Sequence, residues 1–156
     1  MKKALFVSSF IILLFSASVF SQTQDGNKDP EFSLEQVLDI DANHNLDVAW
    51  QAFKSRKAYK AVLMRTEETM AAHPTYSKMD EILYLSGASS YYLSIGKGKQ
   101  KIDLSMLNEE EKKRYAPQRL KEDSIAFLGM LIEQHPDSKY KDDAEKLLKK
   151  IESDDN

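Results

Sequence analysis

One phrase occurs twice in this sequence, and the duplication limits the possible folds more than any other feature. AAHPTYSKMDEILYL at residues 71–85 returns as EQHPDSKYKDDAEKLL at residues 133–148, with Pro74 and Pro136 62 positions apart. Both copies carry His-Pro, then an acidic pair (Asp80-Glu81 and Asp142-Asp143), then apolar residues at helical spacing. Proline ends a helix, because it disfavours the α region in the residue before it and has no N–H to continue the ladder. Ser77 or Ser138 can cap the helix that follows, and the acidic pair in its first turn meets the positive end of the helix dipole. Met79 or Tyr140 then packs back across the turn. The phrase predicts a joint between two helices, used twice.

The rest of the chain agrees. Apolar residues recur at offsets of three and four, and no stretch sustains the alternation of a strand. Leu46, Ala49, Trp50 and Phe53 form one stripe, and Tyr59, Val62, Leu63, Thr66 and Met70 form the next. A phase shift near Ser55-Arg56 marks either two helices meeting or one long helix bending. Met79 to Ile95 reads as a helix that contains Gly87-Ala88-Ser89-Ser90. Small residues cost helix propensity, about 1 kcal/mol for Gly relative to Ala, so their presence predicts a second helix passing close. Gly96 and Gly98 open an interruption that runs to Pro117, with a short helix expected near 106–114. A strong amphipathic helix then stops at His135-Pro136, and a last one is expected over about 138–151, its end rich in lysine.

Counting back from each proline gives a sharper pattern. Five, eight and twelve residues before Pro136 stand Leu131, Leu128 and Ser124; the same offsets from Pro74 give Thr69, Thr66 and Val62. The tetratricopeptide repeat places small or apolar packing residues there on its second helix. Leu46, Ala49, Trp50 and Phe53 fit the first helix, and Leu85, Gly87 and Tyr91 imitate the next first helix within one or two positions. The chain resembles a tetratricopeptide-repeat protein. HPDSKYKDDAEKLL, with the looser HPTYSKMDEILYL, is similar more narrowly to the BamD-like outer-membrane assembly lipoproteins and their periplasmic relatives, over roughly residues 46 to 152. The fold implied is all-α, a short tetratricopeptide-like α-α superhelix whose concave face binds peptides or helices of other proteins. The chain departs from that pattern in having no lipobox cysteine, few repeats, and a spacing of 62 where consecutive repeats would give about 34.

Lys2-Lys3, the apolar run ALFVSSFIILLF and the small residues to Ser21 have the pattern of a secretory signal peptide over residues 1–21, with Gln22 as the first mature residue. Residues 22–33 read as a flexible lead-in, 34–152 as the helical domain with its interruption at 96–117, and 153–156 as a tail. Cleavage would remove two lysines and no acid, taking the formal charge from −3 to −5, a balance unsuited to coating nucleic acid. With no cysteine, stability must come from an apolar core, and about 135 residues are enough to form one. An exported, periplasmic protein is expected, associated with the outer membrane only indirectly or through a partner.

Catalysis finds no support. His73 and His135 occupy equivalent joints, there is no thiol, and GKG at 96–98 lacks the spacing of a phosphate loop. DIDANHNLD at 39–47 resembles the start of a calcium loop, but His44 stands where Gly belongs and Trp50 where the bidentate Glu belongs. It reads instead as a polar loop whose Asn43 or Asn45 caps a helix starting at Leu46. No cofactor and no metal site is expected. The candidate partner-binding residues are Tyr84, Tyr91 and Tyr92, whose rings and hydroxyls suit an interface although their spacing also fits a core, together with Lys97 and Lys99 of the basic KGKQK stretch. By resemblance, the implied role is a non-catalytic scaffold for outer-membrane protein assembly or envelope organisation, its partners other envelope proteins or peptides. The alternatives are an adaptor of a cell-wall or Tol-Pal type complex, and a small calcium-binding module.

Overall fold

In the computed structural model, residues 33–154 are described. The expected signal peptide and most of the lead-in lie outside them. The described residues form six α-helices: α1 (Leu34–Gln51), α2 (Tyr59–Ala72), α3 (Met79–Ser94), α4 (Glu109–Arg114), α5 (Pro117–Gln134) and α6 (Lys141–Ser153). No strand occurs among the described residues. Helix α1 pairs with α2, α3 packs on both α2 and α5, and α6 closes the row against α5 and α3. Two hairpins, α1–α2 and α3–α5, are thus stacked and followed by one further helix, an all-α tetratricopeptide-like arrangement.

All six positions counted back from the prolines are buried: Val62, Thr66, Thr69, Ser124, Leu128 and Leu131 are 0–1% exposed. Leu128 and Leu131 join Leu83, Tyr91, Ala144 and Ile151 in the core beneath α3, α5 and α6. Burying a leucine of this kind stabilises by about 1.5–3 kcal/mol. A second core unites Leu46, Ala49, Val62, Ile82 and Leu85 from α1, α2 and α3. The small residues of α3 have the expected reason: a Cβ added at Gly87 would lie 2.6 Å from Leu128 Cγ. Ser86, Ala88, Ser89 and Ser90 are buried alongside, so the α3–α5 approach depends on small side chains.

The phase shift near Ser55-Arg56 is two helices meeting. A π-helical turn at Ala52–Arg56 ends in Lys57, whose φ of 49° is left-handed, and the chain turns into α2. The interruption packs against this corner. Gly98, at φ 113°, comes so close that a Cβ would lie 2.8 Å from the Lys57 carbonyl oxygen, and the Lys99 N–H donates to that oxygen at 3.1 Å. Ile102, Leu104 and Leu107 pack on Tyr59, Leu63, Leu93, Tyr115 and Leu120. The short helix expected near 106–114 is α4.

Three local expectations are corrected. DIDANHNLD is not a loop: residues 39–47 lie inside α1, which begins at Leu34 behind a reciprocal capping box of Ser33 and Gln36. Asn43 and Asn45 cap nothing. Asn45 is buried and accepts from Arg65 at 3.4 Å, while Asn43 accepts from the Tyr76 hydroxyl at 2.9 Å. A calcium loop wraps its alternate residues around an ion, and helical backbone turns them onto different faces. Ser77 is exposed and makes no cap, and α3 starts at Met79. At the other end, Asp154, assigned from sequence to a fraying tail, accepts from the Tyr91 hydroxyl at 2.7 Å.

Candidate partner-binding face

The stack lines up one face of α1, α3 and the start of α6, and aromatic residues run across it. Trp50 near the end of α1 and Phe53 in the π-helical turn after it lie one turn apart, Tyr84 and Tyr92 two turns apart on α3, and Tyr140 immediately precedes α6. Tyr84 and Tyr140 are stacked with centroids 4.9 Å apart, and Trp50 lies 5.5 Å from Tyr140 and 5.9 Å from Phe53. Phe53 reaches Tyr92 at 6.0 Å. All five are partly exposed, unlike the aliphatic cores behind them. Aromatic rings with one face in the fold and one towards water are typical anchors of protein interfaces.

Three lysines border the rings. Lys54 Nζ lies 4.3 Å from the Trp50 ring centroid, Lys139 Nζ 4.9 Å from Tyr140 and Lys97 Nζ 5.9 Å from Tyr92. Glu81 holds one end together: Trp50 Nε1 donates to it at 2.7 Å, the Tyr140 hydroxyl at 2.9 Å and Lys139 Nζ at 3.2 Å. Burial alone would raise the Glu81 pKa, but these three hydrogen bonds and the Lys139 charge outweigh it and hold the carboxyl below its ordinary value. Burial, reinforced by the charge of Asp143, pushes the Tyr84 phenol up to about 12, so it stays a neutral hydroxyl at physiological pH.

The structure brings together three of the five residues singled out from sequence: Tyr84, Tyr92 and Lys97. Tyr91 is elsewhere. It is 1% exposed in the core, because consecutive helical residues diverge by about 100° and Tyr92 takes the outward direction. Its phenol is also pushed up to about 12, by burial and by the hydrogen bond to Asp154. Lys99 stands beside α2 and lines a different recess, with Lys60 and Met64. Trp50, Phe53, Tyr140, Lys54, Lys139 and Glu81 belong to the face and were not singled out. Their signal was available, since Trp50 and Phe53 occupy first-helix positions of the repeat, but helical spacing alone assigns such a stripe to the core. Among the described residues, no group of three or more His, Asp or Glu side chains is placed to hold a metal ion.

Stacked helical hairpins define an all-α, tetratricopeptide-like protein. Residues 39–154 match the YfiO family model, described as outer membrane lipoprotein, and the chain belongs to that family. Neither a curated protein nor a solved structure matches the chain. Among the described residues, no helix is long and apolar enough to cross a membrane.

Proposed function

We propose that the protein is a non-catalytic scaffold on the periplasmic side of the outer membrane, where it holds an extended segment of a partner across the face of α1, α3 and α6 and so supports outer-membrane protein assembly or envelope organisation. The observation that carries this reading is the continuity of the aromatic seam from Phe53 and Trp50 through Tyr84 to Tyr140, partly exposed and fixed in place by Glu81. Membership of the outer membrane lipoprotein family supports the location. Apolar side chains of the bound segment would lie on the rings, and its acidic groups would meet Lys54, Lys97 and Lys139.

A second reading, an adaptor of a cell-wall or Tol-Pal type complex, is favoured by one observation: the 156 residues include no cysteine to carry a lipid, although the family is described as a lipoprotein. Affinity capture of the tagged protein from crosslinked envelopes separates the two. Recovery of the β-barrel assembly machinery, lost on Lys54→Glu with Lys97→Glu, is expected. Both lysines are exposed and neither forms an ion pair among the described residues, so the fold should survive the change. Recovery of cell-wall or Tol-Pal proteins instead would select the adaptor.

A further inference from the structure

The interruption between α3 and α5 forms a second recess. Lys60, Ala61 and Met64 of α2 face residues 99–103 and Met106-Leu107 across an open cleft of about 560 Å³. Its walls are apolar: Ala61, Met64, Ile102, Met106 and Leu107. Met64 is 57% exposed and Met106 82% exposed, and the two line one cleft, forming an apolar patch rather than scattered single residues. Methionine is also unbranched and polarisable, and adapts to varied apolar partners.

The rim is cationic. Lys60, Lys99 and Lys101 border the cleft, and none of them forms an ion pair among the described residues. Lys60 Nζ instead lies 4.7 Å from the Tyr115 ring centroid. Among the described residues Asp103 is the only carboxylate lining the cleft, and it is occupied: it accepts from the Ser105 N–H at 2.9 Å and from the Ser105 hydroxyl at 2.6 Å. Three unpaired cations around exposed methionines depart from the character of a chain with formal charge −3.

We infer that this cleft docks an acidic amphipathic peptide segment of a partner protein, its apolar side chains between Met64 and Met106 and its carboxylates at Lys60, Lys99 and Lys101. The surroundings favour a peptide over an anionic membrane. A neighbouring recess shares Lys60 and Met64 but adds three carboxylates, Glu67, Glu68 and Glu111, against one further cation, Arg114, which pairs with Glu67. A broad anionic surface would press against those carboxylates, whereas a narrow chain segment lies between the lysines and avoids them. This inference shares no residue with the aromatic face, and each can fail alone.

The test uses the full chain, isotopically labelled for amide NMR, and a synthetic 12-residue peptide of alternating Leu and Glu. A Leu-Lys analogue and phosphatidylglycerol-containing vesicles serve as comparisons. The Leu-Glu peptide should shift amides of residues 60–64 and 99–107. Its affinity should fall about tenfold or more when Lys60→Glu, Lys99→Glu and Lys101→Glu are combined, because reversed rim charges repel it. Met64→Ser with Met106→Ser should weaken binding with the charges intact, and an unchanged melting temperature in both variants excludes unfolding as the cause. Absence of binding, equal binding of the Leu-Lys analogue, or shifts confined to the aromatic face would overturn the inference. Binding to vesicles but not to the peptide would assign the lysines to a membrane surface instead.

Discussion

The joint after His73 and the joint after His135 share their backbone and differ in their side chains. In both, the histidine N–H donates to the carbonyl four residues back, Thr69 or Leu131. The N–H three residues on, of Tyr76 or Ser138, donates to the histidine carbonyl, and the N–H of Met79 or Lys141 repeats the step. Each joint then reaches back to the first helix of the preceding hairpin. Tyr76 donates to Asn43 of α1 at 2.9 Å, and Ser138, the same distance past its proline, donates to Asp80 of α3 at 2.6 Å. Lys78 reinforces the first contact at 2.7 Å, and Tyr140, in the equivalent place, binds Glu81. The first joint lies inside the stack with His73 and Tyr76 buried, His73 Nε2 lying 2.9 Å from Asp39 Oδ1. The second, next to the last helix, leaves His135 partly exposed and places its aromatic on the candidate binding face. A repeat therefore conserves the path of the backbone, and position in the stack decides whether the anchoring side chain serves the core or a surface.

The largest difference between the joints should appear on truncation. Tyr76→Ala is expected to destabilise by about 3–5 kcal/mol, the loss of a buried aromatic with its cavity, and Ser138→Ala by about 2 kcal/mol, the loss of its hydrogen bonds to Asp80 and from the Tyr140 N–H; urea denaturation measures both. Equal costs would remove the distinction between an internal and a terminal joint. Glu81→Gln should cost about 2 kcal/mol, because three donors lose a charged acceptor.

That variant also has a pH signature. The Glu81 pKa is lowered on folding, so its stabilisation is present above its ordinary value of 4.5 and is lost as pH falls through the lowered folded value. Wild type should lose stability in that acid window more steeply than Glu81→Gln. Tyr84 and Tyr91 have the opposite sense. Their pKa values rise from 10.0 to about 12, so the stability of the neutral phenols is complete below pH 10 and is lost between pH 10 and about 12. Burial raises Tyr59, Tyr76 and Tyr140 as well, so tyrosinate absorbance should show a late-titrating group of phenols that is one smaller in Tyr84→Phe. The smallest effect belongs to Ser77→Ala: this exposed, uncapping residue should change stability by less than about 0.5 kcal/mol.

Ser77 shows why part of the joint was illegible in the sequence. It is the serine nearest the first proline, yet the residue in register with Ser138 is Tyr76, whose N–H donates to the His73 carbonyl as the Ser138 N–H does to the His135 carbonyl. The helices, the two joints and the buried positions before each proline were legible because periodicity and proline act locally. The first half of α1 was not. Its Asp and Asn residues favour caps and turns by propensity, and tertiary partners override that preference: Arg65 on Asn45, Tyr76 and Lys78 on Asn43. The capping box at Ser33 and Gln36 was the available signal that the helix starts earlier. For the candidate face, tyrosine spacing on α3 could be read, but not which tyrosine would meet Trp50 and Tyr140, since that depends on how the helices stack.

The most direct measurement is site-specific photo-crosslinking in living cells, with the crosslinking amino acid placed at Lys54 beside Trp50 or, as a control, at the exposed Ile125 of α5. A scaffold that binds through α1, α3 and α6 should crosslink from position 54 to a component of the outer-membrane assembly machinery and give no such product from position 125. Crosslinks to that machinery from 125 with none from 54 would contradict the account and move the binding surface to the second-helix side of the stack.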